Sequence, residues 1–212
     1  MRPEWSGQEL VRYTQRTFRG LLDSMARPGK VNRLAAYPLG EAGAPAVDPY
    51  LLGVACTLLD SEVGFCAADD REGRLSGYLA FWTGARRVAL GEADFLFLTP
   101  EDDPRLLYEA KRGTLDYPDR GATAIVSGVG LVEPETAGGA AARGSSGPPL
   151  RLTGPGVPGE ATLVAGGIGE QQVAVWREIN QEYPLGIDVI LVGEGRVACL
   201  PRSVKSEVRG SA

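Results

Sequence analysis

Leu10, Tyr13, Thr17, Phe18, Leu21, Leu22 and Met25 keep a spacing of three or four residues, with Arg12, Arg16, Arg19 and Asp23 between them. That spacing predicts a helix of about five turns with one stripe against a core and a polar face outside. Ser6-Gly7-Gln8-Glu9 reads as a capping box at its start, Ser6 accepting from the Glu9 amide while the Glu9 carboxylate accepts from the Ser6 amide. Arg27-Pro28-Gly29 stops the helix, placing a cation near the carbonyl end of the dipole and two helix breakers beyond it. Asp48-Pro49 predicts a second start, and Leu51, Leu52, Val54, Ala55, Cys56, Leu58 and Leu59 make that helix apolar nearly all round, hence buried.

Farther on, 63–66 reads as a short strand, 75–83 as a helix despite Gly77, 94–98 as a buried strand and 104–111 as a short helix. Strands are predicted at 122–127 and 130–133, followed over 134–149 by a tract of Gly, Ala, Ser and Pro too poor in apolar residues to pack, which reads as a mobile loop. Strands at 150–153 and 161–165 flank a turn-rich segment, and a helix from 170 to 181 would bury Val173, Trp176, Ile179 and Tyr183. Two strands at 187–192 and 196–200 flank Gly193-Glu194-Gly195, a three-residue hairpin connection with a glycine in the left-handed region. Helices and strands interleave, so the fold class is α/β: one domain over 1–203 with a mixed β-sheet flanked by helices, and a polar, fraying tail over 204–212.

Composition removes chemistry more than it supplies it. The chain has 212 residues, 27 acidic against 22 basic, a net charge of −5, three cysteines and no histidine. Without histidine it cannot build a Ser-His-Asp or Cys-His pair or an HExxH zinc helix from its own residues. Cys56, Cys66 and Cys199 fit no CxxC spacing and read as small core residues. The acidic balance disfavours a nucleic-acid partner, and the absence of a long apolar run or signal stretch points away from a membrane and toward the cytoplasm.

Several polar positions remain as candidate ligand contacts, each with a plain structural alternative. Thr153-Gly154-Pro155-Gly156 offers bare amides and a hydroxyl to a phosphate, or is simply a turn. Gly166-Gly167-Ile168-Gly169 precedes a helix and is either an anion site or the start of that helix. Arg27 and Lys30 bracket Pro28-Gly29 and suit a phosphate or phosphonate oxygen, or cap a helix. Asn180 and Asp188 flank the Tyr183-Pro184-Leu185-Gly186 turn near a strand entrance, as ligand contacts or as turn-forming side chains. The carboxylates of Glu101-Asp102-Asp103 lie in a solvated, Pro-bounded turn. None of Lys30, Lys111 and Lys205 has the apolar setting a Schiff-base lysine requires, so no pyridoxal phosphate is expected, and no cofactor or metal is expected in this chain.

Seven segments then occur in order: Thr17 to Gly29, Leu58-Leu59-Asp60-Ser61-Glu62, Thr83-Gly84 with Ala93-Asp94-Phe95, Gly113 with Tyr117-Pro118, Leu152 to Gly156, Asn180 with Tyr183 to Asp188, and Leu200-Pro201-Arg202. Together they resemble the H subunit of the bacterial carbon–phosphorus lyase system, the PhnH family, over nearly the whole chain. The tract after Pro134 and the residues after Arg202 fall outside that pattern. The resemblance implies a cytoplasmic, homodimeric subunit similar to a reduced pyridoxal-phosphate-dependent transferase fold without the cofactor. It further implies a core complex with the G, I and J subunits, required for making ribose 1-methylphosphonate 5-triphosphate, in which the radical chemistry sits on a partner. Arg202 joins Arg27, Lys30, Thr153, Gly154, Gly156, Asn180 and Asp188 as the candidate ligand-binding set. A structural or accessory role is the preferred reading, and independent binding or turnover of a phosphate ester, nucleotide or phosphonate is the alternative.

Overall fold

The computed structural model describes residues 7–38, 47–132 and 147–209. Ser6 of the predicted capping box, and the predicted loop up to residue 146, lie outside them. The elements are α1 Gly7–Ala26, β1 Asn32–Arg33, α2 Pro49–Leu58, β2 Gly64–Ala67, α3 Arg74–Thr83, β3 Arg86–Arg87, β4 Phe95–Leu98, β5 Thr123–Ser127 and β6 Gly130–Val132. They continue with β7 Pro149–Thr153, β8 Ala161–Gly166, α4 Glu170–Ile179, β9 Asp188–Gly193, β10 Arg196–Leu200 and β11 Lys205–Val208. The Asp48 carboxylate accepts from the Tyr50 amide at 2.8 Å and Pro49 opens α2, the start the sequence predicts.

Seven strands form a mixed sheet in the order β1-β10-β9-β5-β4-β2-β3, in which β9, β5, β4, β2 and β3 run parallel, β10 runs against them, and β1, antiparallel to β10, runs with them again. Both faces are covered, which is why its central strands read as unbroken apolar runs rather than as an alternation. Leu96, Leu98, Ala124, Val126, Val189 and Leu191 point to one core, while Phe97, Ile125, Ile190 and Val192 point to the other. The second core is closed by α1, α2 and α3 through Tyr13, Leu21, Leu52, Val54 and Leu79. The first is closed by α4, through Val173, Trp176 and Ile179, and by a second sheet of four antiparallel strands in the order β11-β7-β8-β6.

That second sheet is the main departure from the single sheet the sequence suggests. Residues 205–208 do not fray: they pair with β7, Lys205 opposite Thr153 and Glu207 opposite Arg151. The strand is polar and therefore silent in hydrophobic periodicity; alongside its ladder, Glu207 lies 3.5 Å from Arg151, an opposite-charge pair across neighbouring strands. Pro149 belongs to β7 rather than to the preceding tract. Gly193 pairs with Arg196 inside the ladder, so the hairpin turn has two residues, not three, and both take positive φ, Glu194 at 51° and Gly195 at 74°. Residues 104–109 form a 3-10 helix.

Three predicted core positions face outward instead. The buried arc of α1 is Tyr13, Thr17, Leu21 and Ser24, narrower than the predicted stripe, which leaves Phe18 and Leu22 exposed. Tyr183 lies past the end of α4 and is also exposed. The three cysteines are free; Cys199 is buried, while Cys56 and Cys66 are half-buried beside the two cores.

α1 and α2 meet where Gly53 faces the Tyr13 hydroxyl, which donates to the Ala35 carbonyl at 2.9 Å. A Cβ at Gly53 would lie 1.9 Å from that oxygen. The overpacking cost of about 1–3 kcal/mol outweighs the roughly 1 kcal/mol of helix propensity an alanine adds, because Tyr13 is bonded and cannot withdraw. In α3, by contrast, a Cβ at Gly77 meets nothing within 4 Å. Urea titration should therefore show Gly53→Ala destabilising the fold and Gly77→Ala stabilising it by about 1 kcal/mol; equal midpoints would contradict this packing.

Candidate functional site

After β10 the chain turns at Pro201 and passes under the start of β9. The Arg202 amide and Nε both donate to Asp188 Oδ1, at 2.8 and 3.2 Å, and its Nη2 donates to Oδ2 at 2.6 Å. Its Nη1 donates to the Pro118 carbonyl at 2.6 Å. The two side chains are 13% and 24% exposed, so this is a forked, largely desolvated pair whose geometry is fixed at three donors. The guanidinium lies on bare backbone: a Cβ at Gly121 would stand 2.5 Å from Arg202 Nη1 and 2.4 Å from the Gly186 carbonyl.

Asn180, just past α4, completes the network. Its Oδ1 accepts from the Ile187 amide at 2.8 Å and its Nδ2 donates to the Ile187 carbonyl at 3.1 Å, so the side-chain amide pairs with the chain as a strand would. Gly186, at φ 140°, has no room for a side chain, since a Cβ there would meet Asn180 Oδ1 at 2.2 Å. Segments 112–121, 180–188 and 201–202 are thus joined at the amino ends of the parallel strands, Asp188 opening β9 beside Thr123 of β5. This is the end opposite to the carboxyl ends where α/β sheets usually place ligands.

Arg27 and Lys30 come together, but on a carboxylate. Asp23 receives Arg27 on one oxygen and Lys30, at 2.6 Å, on the other, with Asn32 Nδ2 donating to it at 2.9 Å. The Lys30 ammonium, then Asn32, hold the Asp23 carboxyl below the usual range. Arg27 therefore ends α1 through a pair one turn back rather than through the last carbonyls. The Thr153 to Gly156 turn closes with the Val157 amide donating to the Gly154 carbonyl at 3.1 Å. Its glycines admit neighbouring backbone: a Cβ at Gly156 would sit 2.5 Å from the Ala26 carbonyl, and one at Gly154 would sit 3.0 Å from the Ser203 carbonyl. The eight predicted residues thus form adjoining clusters, Arg27 and Lys30 on Asp23, Thr153 to Gly156 wedged between the end of α1 and residue 203, and Asn180, Asp188 and Arg202 in the clamp. They do not converge on one cavity.

The other glycine-rich candidate is filled from within. The Gly169 amide before α4 donates to Gln172 Oε1 at 3.1 Å, and Gln172 Nε2 donates to the Pro100 carbonyl at 3.1 Å. Asp102 likewise accepts from the Thr99 amide at 2.7 Å, and Asp103 from the Arg105 amide at 3.0 Å, so these carboxylates shape their own turn. Among the described residues no three His, Cys, Asp or Glu side chains are grouped to hold a metal ion.

Two features were not singled out in the sequence. A cleft of about 410 Å3 opens beside the clamp, lined in part by Trp176, Arg177, Asn180, Tyr183, Arg202 and Lys205. The buried Trp176 Nε1 has no hydrogen-bond partner among the described residues. Asp94, before β4, ties two loops: its Oδ2 accepts from the Gly64 amide at 2.7 Å and its Oδ1 pairs with Lys111. Burial pushes the Asp94 carboxyl up, but the Gly64 and Lys111 bonds outweigh it and the net displacement is downward. Both Asp94 and Pro118 lie in the ordered segments of the sequence, where their presence was visible but not their partners. Burial pushes the Cys56 thiol up to about 11 and raises Cys66 and Cys199 as well, so no described thiol is tuned as a nucleophile. What these groups do chemically is recognise main chain and hold segments together.

Removing one partner of the clamp leaves the other charge largely desolvated, so Asp188→Ala should cost about 3 kcal/mol in urea titration; a loss under about 1 kcal/mol would mark the pair as dispensable. Because the Asp94 carboxyl is lowered in the folded state, its contribution is present above the ordinary carboxylate pKa, about 4, and fades as pH falls through the lowered value. Urea midpoints measured downward from about pH 5 should decline more gently in Asp94→Asn than in the parent chain, and parallel curves would refute the assignment.

Comparison with known proteins covers nearly the whole of this chain. A family model described as "Bacterial phosphonate metabolism protein (PhnH)" matches residues 7–207. The chain is 33% identical over 198 residues to "Putative C-P lyase subunit protein HtxG" of Stutzerimonas stutzeri, covering 93% of this chain and 87% of that protein. It is 30% identical over 210 residues to "Alpha-D-ribose 1-methylphosphonate 5-triphosphate synthase subunit PhnH" of Rhizobium meliloti (strain 1021), covering 91% of this chain and 90% of that one. With the match spanning both sheets and the clamp between them, the chain belongs to the PhnH family of bacterial phosphonate metabolism proteins.

Proposed function

We propose that this chain is a subunit of the carbon–phosphorus lyase core complex, needed for making ribose 1-methylphosphonate 5-triphosphate, and that it contributes assembly rather than catalysis. The observation that carries this reading is a contrast. The polar residues in the segments that mark the family are engaged on main chain and on one another, while large apolar side chains stay outside, Phe81 at 77%, Leu115 at 76% and Tyr183 at 66% exposure. In this reading these side chains, on α3 and in two loops, are contacts for the partner chains. The names of the two relatives support the same system.

In this reading the chain acts in the cytoplasm as a homodimer within an assembly that includes the G, I and J subunits. Among the described residues no helix is long and apolar enough to cross a membrane. The likeness to a pyridoxal-phosphate-dependent transferase that has lost its cofactor site is part of the same proposal. It is supported by the lysines: Lys30 and Lys111 are paired with Asp23 and Asp94, and Lys205 is exposed on β11, settings unlike the apolar pocket a Schiff-base lysine uses. Native mass spectrometry after co-expression with the G, I and J subunits of the same source should show this chain in stoichiometric assembly; a chain that stays apart would overturn the proposal.

A second reading rests on the cleft beside the clamp, where Arg177 and Lys205 offer cationic groups near Asn180 and Arg202. Here the chain itself would bind a phosphate ester, a nucleotide or a phosphonate. Calorimetry with ATP, ribose phosphates and alkylphosphonates should then give saturable heat that Lys205→Ala removes, and silence across that panel would eliminate the reading.

A further inference from the structure

The outward face of α1 is unusual in two respects. Val11, Phe18 and Leu22 are 54%, 45% and 51% exposed, and their separations of seven and four residues put them on one line along the helix. Arg12, Arg16 and Arg19, four and three residues apart, form the adjacent line, with Gln15 between. The three arginines and Gln15 surround a shallow depression of about 420 Å3. No ion pair to a carboxylate is seen for any of the three among the described residues, a setting that several other surface arginines share but that only α1 gathers into a row of three. A cationic ridge thus stands beside an apolar stripe on a chain whose net charge is −5.

We infer that this face of α1 is the docking surface for an acidic amphipathic segment of a protein partner, its apolar side chains against Val11, Phe18 and Leu22 and its carboxylates against the arginine ridge. The inference rests on the subunit reading above and names the surface and the partner chemistry that reading leaves open. Charge decides among occupants. A second α1 laid on the first brings only Glu9 and Asp23 as acids, and Asp23 already holds Arg27, Lys30 and Asn32, so a copy of this chain cannot neutralise the ridge there. A nucleic acid would match the arginines but leave the apolar stripe beside them in water. An acidic segment with apolar side chains at helical spacing satisfies both lines at once.

The two lines should fail differently. Apolar anchors at the middle of an interface govern dissociation, and flanking charges govern the rate and salt dependence of association. With the full chain and the co-expressed G, I and J subunits, Phe18→Ser and Leu22→Ser should each weaken assembly at least about 30-fold while the isolated chain still melts cooperatively, since both side chains are about half exposed and lie outside the two cores. The Arg12→Glu, Arg16→Glu, Arg19→Glu triple variant should slow association about tenfold or more and flatten its dependence on salt. Arg71→Glu, far from α1 in sequence and fully at the surface, should bind as the parent does. A photo-reactive side chain placed at Gln15 should cross-link to a partner peptide rich in Asp or Glu.

If the parent chain assembles and the α1 variants assemble equally well, the inference falls and the subunit reading stands. If the parent never joins the complex, both fall. Cross-linking to α1 of a second copy, or loss of assembly on nuclease treatment, would also overturn it.

Discussion

The passage of the chain from one sheet to the other is set by Arg202. Three residues after Leu200 ends β10 in the mixed sheet, Ser203 and Val204 lead into β11 of the antiparallel sheet, and the first core lies between the two. A strand entering a separate layer must be aimed, because an error of one residue would turn Ser206 out and Lys205 in. Arg202 does the aiming from both its backbone and its side chain, through Asp188 at the start of β9 and the carbonyl of Pro118. The Thr153 to Gly156 turn then packs on residue 203 and on the end of α1, so the far helical layer is registered against the same point. The clamp thereby couples three layers, and its cost of desolvation is offset by a complete set of charge-assisted bonds rather than by solvent.

What was legible in the sequence follows from where the information is local. The buried strands 95–98, 123–127 and 188–193 announce themselves because both faces are apolar, and α2 because Asp48-Pro49 is a start signal in adjacent residues. β11 did not, since a polar strand is stabilised by a neighbour's ladder that periodicity does not record. The width of the apolar stripe on α1 was overread for a related reason: spacing alone cannot say how much of an apolar arc a core will cover, and here the arc stops short of Phe18 and Leu22. The site residues were found as positions and missed as partners. Asn180, Asp188 and Arg202 were visible in ordered segments, but that one would fork the other, and that the Pro118 carbonyl would take a third bond from 84 residues away, is tertiary information.

The same contrast separates chemistry from assembly. General acid–base work near neutrality asks for a side chain whose proton affinity is tuned toward the ambient pH. This chain has no histidine, and the described groups that the fold displaces move away from neutrality: Asp23, Asp70, Asp94, Asp103 and Glu160 downward, and Cys56, Cys66, Cys199, Tyr13 and Tyr37 upward. Hydrogen bonds from cations and amides drive the acids down, and burial drives the thiols and phenols up.

A surface built this way has a consequence for association. Asp23, Asp70, Asp94, Asp103 and Glu160 are held below the usual carboxylate range, and Cys56, Cys66, Cys199, Tyr13 and Tyr37 above their ordinary values, so none of these displaced groups is moved toward neutrality. Of the two acids on α1, Glu9 and Asp23, the second is already committed to Arg27 and Lys30. Recognition by the arginine ridge, as proposed above, would then follow ionic strength and the carboxylates that the partner brings, since α1 offers its arginines few acids of its own.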